Sequence, residues 1–333
     1  MTLMESRPLI PDMGEAMDFP EPTRAEYVER FVGSAPITRG VYVGPLSDHP
    51  DGVYISPDIV SSYGDTAELP RLQEIQLLPG AQLGAGDSHH EVVFGKVMLK
   101  SEEKTDLVKV AFKSFTTESN QAIHEHDCLI AAKERGFDTY QPLALAKDGE
   151  DTYLITEFRD EVESMDNADW TISPQDSEKY QSEVVPNLHF MADNMAKMHA
   201  KGLFHGDAQP KNFARTDTGS FVLIDLENTT VATTPESHQV LLSGGWDPTQ
   251  SEANADVWHC WYSMISPMGS PESPNTFLEH ESVEVCMEQF EQNFLDPYMK
   301  ALAEHTEPGL YLQSNPNELR ASIHSRVARL MGL

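Results

Sequence analysis

From Asn187 to Asn212 the chain reads NLHFMADNMAKMHAKGLFHGDAQPKN, and the run VLIDLEN follows from Val222. No other stretch restricts the fold as tightly. Leu188, Ala192, Met195 and Met198 fall on one stripe of a helix, and Lys201 with Gly202 supplies a cation and a left-handed cap to end it. The helix therefore delivers the chain straight into a polar loop holding Asp207 and Asn212. A short apolar run then brings in Asp225. The methionines of the stripe are core packing, since a flexible thioether fills gaps between helices.

Two acids and an amide in this order suit phosphoryl transfer. That reaction leaves a protein little covalent work; it needs a carboxylate to orient the attacking hydroxyl and oxygen ligands to hold Mg²⁺ on the phosphates. Asp207 suits the first task, and Asn212 and Asp225 the second. The stretch HGDAQPKN resembles the catalytic loop of the protein-kinase-like superfamily, H-x-D-x-x-x-x-N, and LIDLEN resembles its magnesium-binding Asp. Within the superfamily, Gly206, where protein kinases usually carry Arg, resembles aminoglycoside phosphotransferases, choline kinases and lipopolysaccharide-core kinases. Asp225 followed by Leu226 and Glu227 points the same way, as does Gln209, where serine/threonine kinases place Lys. His205 is expected to pack the loop.

The resemblance implies ATP and Mg²⁺ as cofactors and a bilobal α+β fold, with a small antiparallel-sheet N-lobe and a mainly helical C-lobe. It implies an N-lobe over 71–158 and a C-lobe over 159–333, after a partly flexible N-terminal extension, 1–70. At 333 residues, 39% apolar, the chain affords such a core. Its formal charge of -31 repels nucleic acid and anionic membrane surfaces, which excludes nucleic-acid binding from the expected partners. Cys128, Cys260 and Cys286 are few and widely spaced, so neither a disulfide framework nor a zinc site is expected. Without a basic, apolar leader or a run of transmembrane length, the expectation is a cytoplasmic protein with no membrane insertion.

Residues 1 to 70, rich in Pro, Gly and acids, receive no element. From Glu74, the apolar segments EIQLL, VVFGKVML and LVKVAFKSF predict an antiparallel meander. A helix is predicted over 118–136, stopped by Gly136, and QPLALAKDGEDTYLITEF predicts two further strands. Residues 148–178, rich in Asp and Glu, are expected to form an exposed connection between lobes.

Gly84 and Gly86, in LGAGDSHHE, are candidates to let backbone N–H groups approach phosphates, although His89 stands where the kinase pattern has its third Gly. Strand alternation places Val108, Val110 and Phe112 on one face and Lys109, Ala111 and Lys113 on the other. VAFK resembles the kinase V-A-I-K, which implies that Lys113 pairs with the α and β phosphates. Its expected anionic partner is Glu125, with Glu118 as the alternative. YLITEF resembles the strand entering the kinase hinge, where the backbone of Glu157 and Phe158 would bond the adenine edge and Thr156 would line the pocket. ADVWHCW resembles a kinase helix whose leading Asp, here Asp256, caps the helix and bonds the catalytic loop.

The expected enzyme is a kinase moving the γ-phosphoryl group of ATP to a hydroxyl of a small-molecule or glycan acceptor. Asp160, Glu161 and Glu163 would suit a cationic, amine-bearing acceptor. The alternatives are a protein serine/threonine kinase, suggested by DVWHCW, and a nucleotide-binding pseudokinase, suggested by the irregular Gly loop.

Overall fold

The computed structural model describes residues 42–44, 52–55, 72–77, 82–84, 92–101, 105–116, 119–148, 151–159, 161–170, 172, 174–243, 252–265, 282–306, 316–330 and 333. Strands β1 (Tyr42–Gly44), β2 (Gly52–Ile55), β3 (Leu72–Leu77), β4 (Gln82–Gly84), β5 (Val92–Ser101) and β6 (Thr105–Thr116) come first. Helix α1 (Ser119–Glu134) follows, then β7 (Asp138–Thr139), β8 (Pro142–Asp148) and β9 (Asp151–Glu157). All but β7 form an eight-stranded sheet in the order β1-β3-β5-β6-β9-β8-β2, with β4 also on β5.

The predicted meander is present, because β3, β5 and β6 pair antiparallel in sequence order. Strand β3 takes the C-terminal half of β5 and β4 its N-terminal half, Gly84 pairing with Val92. The sheet is wider than the five strands predicted. Strands β1 and β2, from the stretch given no element, sit at its two ends: β1 runs parallel to β3, and β2 antiparallel to β8.

Along β6, Val110 and Phe112 are buried on one face, as the alternation requires, while Phe115 is buried on the face that carries Lys113. Leu154 and Leu145 lie across from Lys113 on that face and join Phe115, Ala122 and Leu129 in the main core. Each buried Leu or Phe among them contributes about 2 kcal/mol. Helix α1 is thus held by packing, and it carries His124, Glu125 and His126 buried in succession. It ends as predicted: Gly136 has φ +80°, and Gly136 N and Phe137 N donate to Lys133 O and Ala132 O.

Residues past β9 are not merely an exposed connection. Strand β10 (Val162–Ser164) pairs with β12 (Phe213–Thr216), and Met165 and Ile172 are buried. Hydrophobic side chains have drawn an acid-rich stretch onto the second lobe. The predicted stripe forms helix α2 (Val185–Ala200), in which Leu188, Ala192, Met195 and Met198 are all core residues. Lys201 caps it and Gly202 turns left-handed at φ +72°.

Strands β11 (Leu203–Phe204) and β14 (Thr230–Val231) pair, as do β12 and β13 (Phe221–Leu223). Strand β7 adds to β13 in parallel. Longer helices among the described residues after these strands are α3 (Pro235–Ser243), α4 (Glu252–Ile265), α5 (Val283–Phe290), α6 (Asp296–His305) and α7 (Pro316–Leu330). Trp261 of α4 packs on Phe290 and Phe294, and Tyr298 is fully buried. The chain therefore has the expected bilobal, kinase-like α+β fold.

Candidate active site

The loop after β11 is shaped by backbone constraint. Gly206 has φ +78°, and a Cβ there would lie 2.2 Å from Asn228 O, so only glycine fits. His205, fully buried, donates from Nε2 to Ile224 O at 3.0 Å and accepts the Asp207 N–H on Nδ1 at 3.3 Å. It stitches the loop to the segment entering Asp225, which agrees with a packing role. Asp256 accepts the N–H of His205 (2.6 Å) and of Gly206 (2.8 Å) and the Nε2–H of His199 (3.0 Å), whose Nδ1 accepts from Tyr298 Oη. Burial alone would raise its carboxyl, but His199, His205 and the Gly206 bond outweigh that and hold it below the usual carboxylate range. The bonds to the loop were expected. The cap was not found: α4 begins at Glu252, so Asp256 stands one turn inside the helix.

Asp207 is oriented by two amides. Gln209 Nε2 donates to its Oδ1 at 2.7 Å and Asn212 Nδ2 to its Oδ2 at 2.8 Å. His259 Nδ1 lies 3.4 Å from Oδ1. Ile224 N donates to Asn212 O at 3.0 Å, which ties Asn212 to the strand end that leads into Asp225. Asp225 has φ 58°, a left-handed conformation that a short polar side chain tolerates.

The structure brings Lys113, Glu125 and Asp225 together. Lys113 Nζ lies 2.9 Å from Glu125 Oε2 and 2.5 Å from Asp225 Oδ1, and Glu227 Oε2 joins at 2.8 Å. Burial would lower the ammonium, but the three carboxylates outweigh it and hold Lys113 well above its ordinary value. Burial pushes Glu125 up to about 7, against the pull of Lys113. Burial also opposes ionisation of Asp225, yet Lys113, His205 and Lys211 keep its carboxyl below the usual range.

These groups fit a magnesium ion. Asn212 gives its amide hydrogens to Asp207, which leaves its amide oxygen for a cation, and Asp225 presents an ionised carboxylate. All are hard oxygen donors. Glu125, Asp225 and Glu227 lie close enough to share one cation, and Lys113 now fills that place.

Glu118 and Gly86 lie outside the described residues, as does Asp160. Glu157 N donates to Gln141 O and Phe158 N to Lys109 O, so both expected hinge N–H groups are engaged within the protein. Phe158 packs against Phe94 at 4.8 Å between ring centroids. Glu161 accepts Arg159 Nε, which compensates one of the acids expected to attract a cation. Sequence reading missed Glu227 and His259 as site members; the Asp-x-Glu spacing was the available signal for the first.

A search of curated proteins finds no match. A solved structure described as WaaP in complex with acyl carrier protein is similar at a TM-score of 0.43 and 11% identity, over 84% of this chain and 98% of that one. No helix among the described residues is long and apolar enough to cross a membrane. The model of the lipopolysaccharide kinase (Kdo/WaaP) family matches residues 94–240, a span that holds Lys113, Glu125, Asp207, Asn212 and Asp225, and it bears out both the resemblance to lipopolysaccharide-core kinases and the expected class of enzyme, a kinase.

Proposed function

We propose that the protein transfers the γ-phosphoryl group of ATP, with Mg²⁺, to a hydroxyl of a glycan or similar small acceptor in the cytoplasm. The observation that carries this reading is the convergence of Lys113, Glu125, Asp225 and Glu227, together with Asp207 held by Asn212. In this reading Asp207 orients the acceptor hydroxyl and takes its proton. Lys113, fixed by Glu125, turns from its carboxylates to the α and β phosphates. Asn212 and Asp225 hold Mg²⁺, which neutralises charge developing on the phosphates. The family match over residues 94–240 favours a glycan over a protein acceptor.

The test is label transfer from γ-labelled ATP in a cell extract. Asp207→Asn should cut turnover by roughly 10²-fold or more while nucleotide binding persists, and Asp225→Ala should abolish Mg²⁺-dependent nucleotide binding. Label appearing in polypeptide, or equal residual activity in both variants, would sink the assignment.

A further inference from the structure

Helix α4 touches the catalytic loop twice. Asp256 binds its backbone, and three residues on, His259 places Nδ1 3.4 Å from Asp207 Oδ1. Three other histidines nearby do structural work of a familiar kind. His199, His205 and His238 are buried, and each bonds a protein group within 3.0 Å. His259 differs. Its side chain is 22% exposed, and among the described residues the only acid within ion-pairing distance is Asp207.

Lone-pair accounting gives this contact a meaning. An ionised carboxylate offers four acceptor sites, two on each oxygen. On Asp207, Oδ1 takes Gln209 and faces His259, while Oδ2 takes Asn212. Among the described residues, one site is left, on Oδ2. Resting the argument on the reading that Asp207 is the base, we infer that His259 is a positioning residue: its Nδ1–H fills the second site of Oδ1 and leaves Oδ2 to receive the proton of the acceptor hydroxyl.

In that step the acceptor oxygen bonds the γ-phosphorus, the bond from that phosphorus to the bridging oxygen of ADP breaks, and the hydroxyl proton passes to Oδ2. His259 keeps its proton throughout. A separation of 3.4 Å is long for a hydrogen bond, as catalytic contacts often are before substrate closes the site. Burial lowers the imidazole below its ordinary value. Asp207 and Asp256 oppose that shift, and His205 and Lys211 reinforce it. The ring therefore carries one N–H at neutral pH, and the acceptor it faces draws that hydrogen to Nδ1.

The experiment follows inorganic phosphate release from Mg·ATP, with water as acceptor, beside nitrogen NMR of ring-labelled histidine. Removing the donor in His259→Leu should lower kcat roughly 10- to 100-fold with the KM for ATP little changed. His259→Asn, whose amide sits near the place of Nδ1, should recover most of the loss. The spectrum should show the Nδ1–H form, and Asp207→Asn should lower the pH at which His259 titrates. Equal losses in the two His259 variants, a KM that rises with the fall in kcat, or an Nε2–H ring indifferent to Asp207→Asn would each overturn the inference while leaving the kinase reading intact. Phosphate release that does not depend on Asp207 would overturn that reading, and with it any positioning role for His259.

Discussion

Gly206 shows how one missing side chain lets two segments meet. With φ +78° and Asn228 O 2.2 Å from the place of a Cβ, the position admits no side chain without moving the segment after Asp225. Gly206→Ala should therefore cost about 2–3 kcal/mol of stability, measurable by urea unfolding, and should lower kcat through the displaced loop. Preserved stability and rate would show that Asn228 yields freely. At this scale the sequence was informative where spacing is local: Asp207, Asn212 and Asp225 could be read from two short runs. For the Lys113 partner the sequence offered Glu125 first and Glu118 as the alternative, and the structure seats Glu125 beside it. His259 escaped because its nearness to Asp207 depends on how distant segments fold back, which no local pattern records, whereas the Asp-x-Glu spacing set Glu227 beside Asp225 and only its reach to Lys113 waited on the fold.

Helix α4 is a foundation for the loop, and Asp256 is its point of attachment. The carboxyl is held below its ordinary value in the folded state, so its stabilisation is fully present above the unfolded value near 3.8 and is lost as pH falls through the lower folded value. Asp256→Asn should cost about 3 kcal/mol at pH 7, and the gap from the natural protein should narrow below pH ~4. Unfolding curves at several pH values test this; a gap that stays constant into acid would mean the carboxylate charge is not what matters. Elements were legible where a period and a stop signal coincide, as in α1 with Gly136 and α2 with Gly202. Strands β1 and β2 were not, because each is short, and their stability comes from pairing with β3 and β8 rather than from their own sequence. The acid-rich stretch after β9 misled for the opposite reason: its charges hid Met165 and Ile172, which anchor it.

Over the whole molecule, the two lobes are joined by more than the chain that links them. Arg135 at the end of α1 donates to Lys201 O at 3.0 Å and Ala232 O at 3.1 Å, and Lys201 Nζ returns a bond to Arg135 O at 2.6 Å. Arg135→Ala should lower stability by about 1–2 kcal/mol and speed amide hydrogen exchange in α1; unchanged exchange there would show that packing alone holds the helix. The bilobal plan was legible through the resemblance that the motifs carry. The joint between the lobes was not, because it is made by backbone carbonyls that carry no residue identity. That joint makes α1 a lever. Its fulcrum is at Arg135, and Glu125 lies ten residues along the arm, about 15 Å at 1.5 Å per residue. A tilt of ~10° would carry Glu125 by ~2.5 Å on that arm, enough to part it from Lys113. His124 sits on the same arm, and its Nε2 meets Thr229 O at 2.9 Å, a contact that such a tilt would have to break.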